Sequence, residues 1–406
     1  MAATSTPTTL ASRLKQVYAN GINNIIPSSN ELLKRIKFKD ELAHGASTEF
    51  DVQLSHESGF STGTGEITLN AAIAQVSARA TVVAYSLILR SKVSYDLITR
   101  AKDDKRAFAR FNDSKFIPMV ESFRKRQEIL AMHGGDSIGR VSAINSHVIT
   151  FTAESWCPAL WLGSEGMLID AYTAKTAGSQ HDSSGLTVVS VDITNKAITV
   201  TGDSATVADD YLFYRTGRGA EPVGLMQIAR NTGSLFGISA TTYGLWAANA
   251  YDVGTSALTL GKILQAAAMA ADKGCDEKLT CLVPVQTFQS LVVDQAALRE
   301  HGADYSSGKG ENGFSALTFH GATGPIEVVP YMFCKQGSAL MFPEKQCSFL
   351  GSSDMTSVLA KDGDIIFDLE STSAKEMRLF ADYTTFCEKP GWMVLMTRSD
   401  ALALHT

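Results

Sequence analysis

The chain has no CxxC pair, no HExxH helix, no GxSxG turn and no glycine-rich loop ending in Lys-Ser or Lys-Thr. Those absences remove the sequence signatures of zinc centres, zinc hydrolases, the nucleophile elbow and the P-loop. Six cysteines (Cys157, Cys275, Cys281, Cys334, Cys347 and Cys387) lie scattered, which fits buried reduced thiols rather than a disulfide frame. His56, His133, His147, His181, His301 and His320 form no pair at metal-ligand spacing along a helix. Asp103-Asp104 and Asp209-Asp210 are adjacent, and neighbours on a helix do not share a face, so neither is a natural acid/base dyad. No apolar run approaches the roughly 18 residues of a membrane span, and the opening MAATSTPTTLASRLK lacks the apolar core of a secretory signal. A soluble intracellular chain is expected. A basic excess is missing too: 36 Lys+Arg stand against 42 Asp+Glu, for a formal charge of -6, so any nucleic-acid contact must be local.

What is present is ordinary globular material, 406 residues with 45% hydrophobic and 19% charged, enough for two or three domains. Residues 1–46 read as an arm with one short amphipathic helix, Leu32, Leu33 and Ile36 beside Lys34, Arg35, Lys37 and Lys39. An ordered arm needs something to tie it down, and a neighbouring subunit is the economical candidate. From Glu49 the pattern has period two: Phe50, Val52 and Leu54 rise, and Ile67, Leu69, Ala71 and Ile73 descend, continuing to Leu89. About twenty extended residues is too long for the edge of a compact domain, since strands usually run about five or six. The segment is expected to project or to pair with another chain.

Its tip, HESGFSTGTGEITLN, carries Gly59, Gly63 and Gly65. Strand follows these glycines, and no lysine occurs between Lys39 and Lys92, so a phosphate cradle is rejected. Ser307-Gly308-Lys309-Gly310 lacks P-loop spacing as well and reads as a mobile loop. Residues 94–133 are helical in character, with Phe116, Val120, Phe123 and Leu130 on one face and Gly134-Gly135 closing the helix. The charges at 102–128 admit two readings, a solvated face or a shallow basic strip facing DNA.

IGRVSAINSHVITFT and LTVVSVDITNKAITVTG resemble two copies of one strand-turn-strand unit, which predicts a small antiparallel barrel or sandwich within 138–216. Trp156 and Trp161 there are core residues or, alternatively, a sugar or base platform. After Ser256 helix and strand mix: a helix over 258–273 stopped by Gly274, a buried strand Leu279 to Val283, a helix from Pro284 to Leu298, a polar loop at 302–313, and strands IEVVPYMF, SALMFP and CSFL. The chain closes on DIIFDL and the long run EMRLFADYTTFCEKPGWMVLM.

This order of parts resembles the major capsid protein of tailed bacteriophages, of the Hong Kong ninety-seven type fold. The pieces that carry the resemblance are SYDLITRA followed by RKRQEILAMHGG, TLGKILQAAAMAADKG followed by LTCLVPVQTFQSL, and IEVVPYMF before SALMFP. It implies an α+β fold with an N-terminal arm (1–46), an extended hairpin loop (47–80), a peripheral domain with a spine helix (81–137 and 346–406), an inserted small antiparallel β-domain (138–216) and an axial domain (217–345). Subunit contacts would then fall at the loop tip, Gly59, Phe60, Ser61, Thr62, Gly63, Thr64 and Gly65, and at a peripheral loop, Ser371, Thr372, Ser373 and Lys375. Asp304, Tyr305, Lys309 and Glu311 would surround the capsomer axis.

A protein of this family is structural, needs no cofactor or metal, and forms hexamers and pentamers of an icosahedral head around double-stranded DNA. Its implied partners are itself, a separate scaffolding protein, a portal, a decoration protein and DNA held without sequence preference, with no membrane. Its place is the virion capsid, after assembly in the host cytoplasm. Some relatives weld the shell through a lysine in the extended loop; this hairpin has none, so a non-covalent shell is expected. No long charged helical leader precedes the arm, which is why scaffolding is assigned to a separate protein. The rival readings are an encapsulin-like nanocompartment shell and an enzyme whose site is assembled from distant residues.

Overall fold

The computed structural model describes residues 30–41, 47–94, 116–181, 185–201, 208–298, 317–321, 324–352, 357–358, 366–368 and 374–405. The repeated unit folds as two hairpins, Gly139–Asn145 with Val148–Phe151 and Leu186–Asp192 with Ala197–Thr201. Their first strands share one burial alternation, and each carries a register shift, at Val141/Ala143 and at Val188/Ser190. Such bulges bend a strand and increase its twist, which helps a short sheet to curl. Strands Leu168–Tyr172 and Tyr211–Tyr214 complete the ring, giving a closed six-stranded barrel. Trp156 and Trp161 are buried against Phe151, with ring centres 5.2 and 4.8 Å apart. They are core, and the platform reading falls.

A second, mixed sheet runs in the order Asn249–Asp252, Val394–Thr397, Ser338–Pro343, Leu279–Val283, Gly324–Pro330 and Leu317–Gly321. Alternation within LTCLV shows why every residue of that strand is apolar or small. Leu279, Cys281 and Val283 join a core with Ile263 and Ala266 of the helix Leu260–Asp272 and Leu291 of the helix Val285–Leu298. Leu282 points the other way, into a core shared with Leu340, Phe342 and Leu395. A strand covered on both faces needs no polar side. Gly274, at φ 82°, ends the first helix with its N–H on the Ala271 carbonyl at 2.8 Å.

The remaining sheet is organised by one long strand, Ala374–Cys387. It pairs with Tyr85–Ser94 from Ala374↔Ser94 to Tyr383↔Tyr85, and with Cys347–Gly351, Ser357–Val358 and Ile366–Asp368. The helix Ile117–His133 packs on it, burying Met119, Phe123 and Leu130. The closing run is therefore not one strand: it stops at Cys387, turns through the short helix Pro390–Trp392, and Val394–Thr397 joins the other sheet. Pro390 lacks the N–H that a continuous ladder would use.

The descending limb of the projecting hairpin also divides. Residues 67–76 lie in no strand, Ser77–Val83 pairs with Ser47–Gln53, and after Ala84 the chain enters the long sheet as Tyr85–Ser94.

Of the arm, residues 30–41 are described. Its helix Glu31–Arg35 is held by its own chain: Leu32 and Ile36 are buried in the main core, and the strand Lys37–Lys39 runs parallel to Cys347–Gly351. Asn30 makes no side-chain cap; the Glu128 carboxylate accepts the N–H groups of Leu32 at 2.7 Å and Leu33 at 3.0 Å instead. Arg35 bridges Glu31 at 2.7 Å and Glu327 at 3.1 Å.

Candidate interaction surface

Above the Gln53↔Ser77 end of its ladder, the hairpin carries an apolar surface that its own chain leaves open. Phe60 and Leu69 are each 82% exposed, and Ile67 and Ile73 are exposed as well. Large apolar side chains exposed together on one loop, rather than scattered singly, mark interaction sites. The limbs stay together by a few bonds: Leu54 and Ser55 donate to the Val76 carbonyl, Ser58 donates to that of Ile73, and the Ser55 hydroxyl accepts the Val76 N–H. Asn70 clasps the tip, its backbone N–H on the Ser61 hydroxyl at 2.7 Å and its amide on the Phe60 carbonyl at 2.8 Å. Nothing in the period-two pattern marked Asn70, because its partners sit about ten residues away.

The glycines of the tip differ in what they do. Gly65 sits at φ 94°, where an L side chain is strained. Gly59 lets the opposite limb approach: a side chain there would stand 3.1 Å from the Ala71 carbonyl oxygen. The base is fastened by aromatics, Phe50 stacked on Phe386 at 4.6 Å and Phe236 edge-on to the same ring at 5.3 Å. The Phe236 carbonyl also accepts the Thr81 N–H at 2.8 Å. A rigid base thus carries a loosely tied, apolar tip.

Asp304, Tyr305, Lys309, Glu311, Ser371, Thr372 and Ser373 lie outside the described residues. Lys375 belongs to the long strand, opposite Val93 and Asp368.

Within the charge run, neither earlier reading survives for 125–128. Lys125 donates to the Leu162 carbonyl at 3.0 Å, and burial lowers its pKa. The Arg126 guanidinium lies over the Tyr214 ring, and Glu128 is buried. Burial raises the Glu128 pKa even though Leu32, Leu33 and Tyr331 donate to its carboxylate. Arg124 alone of residues 124–128 is exposed. These side chains join the helix to the barrel and the arm.

A polar junction sits where that helix meets the barrel and the mixed sheet. His133 is buried with Nε2 donating to the Phe333 carbonyl at 2.7 Å; burial, with the Lys335 cation nearby, pushes its pKa down to about 3. Burial alone would raise Asp136, yet Arg230 and Lys335 hold it below the usual carboxylate range. Burial pushes Glu221 up to about 7, against the pull of Arg126.

Opposite pH dependences follow. Glu221 holds its proton more tightly folded than at its ordinary 4.5, so its contribution is full below that pH and is lost as pH rises to about 7. His133 holds its proton less tightly than at its ordinary 6.5, so its contribution is full above that pH and is lost as pH falls to about 3. Each slope is about 1.4 kcal/mol per pH unit, and the two cancel where they overlap. Glu128 steepens the descent with rising pH in wild type and variant alike, so the readout is a difference. Relative to Glu221→Gln, the wild-type protein is expected to lose up to about 3 kcal/mol between pH 4.5 and 7 in urea titrations. A constant difference across that range would refute the assignment.

The thiols do not suggest covalent chemistry. All six cysteines are buried and unbonded, and burial pushes Cys157 up to about 11 and Cys281 up to about 12. A nucleophilic cysteine needs the reverse shift. Among the described residues, no group of three or more His, Cys, Asp or Glu could hold a metal ion. No described helix is long and apolar enough to cross a membrane.

No protein-family model matches the chain, and no curated protein matches it. Solved structures do. A chain of the cyanophage A-1(L) capsid asymmetric unit superposes with a TM-score of 0.57 at 10% identity, covering 99% of this chain and 99% of that one. The capsid of the native GTA particle gives 0.48 at 9% identity over 98% and 99%, and a Mycobacterium phage Bobi chain gives 0.44 at 12% over 98% and 99%. The first similarity, end to end over both chains, shows the fold: α+β, of the phage-capsid, Hong Kong ninety-seven type.

Proposed function

We propose that this chain is a shell-forming structural protein, the major capsid protein of a tailed-phage-type head. The observation that carries the reading is the hairpin of residues 47–83, rigid at its aromatic base and apolar at its exposed tip, on a fold shared with a capsid chain. A shell subunit needs many moderate contacts with copies of itself rather than one deep pocket. Burying a large apolar side chain such as Phe60 or Leu69 on a neighbour is worth about 2 kcal/mol. Residues Gly59 to Gly65 would make that contact, with Ser371, Thr372, Ser373 and Lys375 meeting other capsomers and Asp304, Tyr305, Lys309 and Glu311 near the axis.

Hexamers and pentamers would close into an icosahedral shell around double-stranded DNA, held without sequence preference, as the charge of -6 suits. A separate scaffolding protein, a portal and a decoration protein complete the proposed partners, and the shell is non-covalent. Electron microscopy and size-exclusion chromatography of the full chain, alone and with its candidate scaffold, test the reading. Uniform closed shells or rings are expected. A persistent monomer under both conditions would overturn it, and shells loaded with a cargo protein but no DNA would move the assignment to a nanocompartment.

A further inference from the structure

Between the barrel, the helix end and the mixed sheet lies a cavity of about 320 Å³, away from the hairpin. Its charge is unbalanced. Lys175 at 2.8 Å, Lys335 at 3.2 Å and Arg230 at 3.3 Å all converge on the single carboxylate of Asp136. Lys335 and Asp136 are almost wholly buried. Of the other charges at the cavity, Arg140 bridges two carboxylates, Glu154 at 3.3 Å and Asp209 at 2.8 Å, and Arg398 pairs with Asp400. Three cations on one anion put an excess of positive charge at Asp136, offset by the second carboxylate on Arg140, so the ion pairs around the cavity sum to one net positive charge, beside a buried pair that water screens poorly.

Donors are left over as well. The Ser338 side chain, 3% exposed, lines the cavity, and its buried hydroxyl has no hydrogen-bond partner. Nε of Arg230 is likewise buried without a partner. Unmet buried donors beside uncompensated cations are the features of an oxyanion site.

We propose that this cavity binds a small oxyanion of the phosphate class, held by Lys175, Arg230, Lys335 and the Ser338 hydroxyl. Such an ion supplies negative charge to the cation cluster on Asp136 and gives acceptors to the unmatched donors. Because the three cations come from the barrel, from the segment after it and from the mixed sheet, the bound ion would clamp these parts together. Ligand bound only to the folded state raises its stability by mass action.

The test is calorimetric titration of inorganic phosphate into the full chain, in whichever assembly state it purifies, with sodium chloride at matched ionic strength as reference. Sub-millimolar binding and a rise in melting temperature are expected. Lys175→Gln should weaken binding at least tenfold and Ser338→Ala several-fold, with both variants still melting cooperatively, while Lys37→Gln on the arm strand should bind as wild type. Equal effects of phosphate and chloride, or wild-type affinity in Lys175→Gln, would overturn the site. A short single-stranded oligodeoxynucleotide lacking terminal phosphates carries one charge per phosphodiester and should not compete. Competition that Lys175→Gln abolishes would overturn the assignment to a small oxyanion in favour of nucleic acid.

Discussion

Replacing Phe60, Leu69 and Ile73 together by serine is expected to abolish closed assemblies while leaving the melting temperature of the unassembled chain within a degree or two. These side chains are exposed, so their removal costs the single chain little; surface changes away from packed features usually stay within about 0.5 kcal/mol. On a neighbour they would be buried. At about 2 kcal/mol for each side chain, roughly 6 kcal/mol per subunit contact is lost, about four decades in association constant. In the proposed shell the contact would repeat at every subunit, which compounds the loss. Light scattering and negative-stain microscopy of the variant check the outcome. Normal shells from the triple variant would show that the tip is not the contact. A fall of ten degrees or more in the unassembled chain would show that these residues pack at home.

Glu128→Ala is expected to lower stability by about 3 kcal/mol and to free the arm. The carboxylate holds two backbone N–H groups of the arm helix, and the Tyr331 hydroxyl donates to it at 3.1 Å. Without it, three donors lose their acceptor; hydrogen bonds to a charged group are worth about 1.5 to 3 kcal/mol each. Relief of the buried charge returns part of that sum, since burial already raises the pKa of this group. Glu128→Gln keeps one carbonyl acceptor and should cost roughly half as much, by the same reasoning. Urea unfolding gives the stability, and hydrogen exchange at the Leu32 and Leu33 amides gives the local effect. Unchanged protection of those amides in Glu128→Ala would mean that the apolar contacts of Leu32 and Ile36 suffice. In the proposed shell the arm would bear on assembly, because its strand Lys37–Lys39 lies at the margin of the sheet against which the hairpin base packs through Phe50 and Phe386.

How much of this was legible depended on the range of each signal. The two barrel hairpins were readable because their turns, at Asn145-Ser146 and Asn195-Lys196, and their alternation are local; both turns use a residue at positive φ. The helix stop at Gly274 and the doubly covered strand Leu279–Val283 were readable for the same reason. The break at Ala84 was not, since a run of β-formers looks alike whether it serves one partner or two. Pro390 stood in plain view, yet only the pairing of Val394–Thr397 with Ser338–Pro343 shows that it separates two sheets. Glu128 sat in a run of charges that resembles a solvated face, and Asp136 draws its cations from positions 175, 230 and 335.

The sequence by itself determined the parts: the hairpin and its apolar, glycine-rich tip, the barrel unit, the long helix, the mixed α and β segment, and the absence of a recognisable catalytic motif. Periodicity and turn chemistry act over a few residues, so they can be read along the chain. Only the tertiary structure decided which strand joins which sheet, that the arm helix Glu31–Arg35 packs on its own chain, and that three cations share one carboxylate. Those are matters of long-range pairing and of burial. Neither leaves a local trace, because the same lysine or glutamate is cheap in water and consequential in a core.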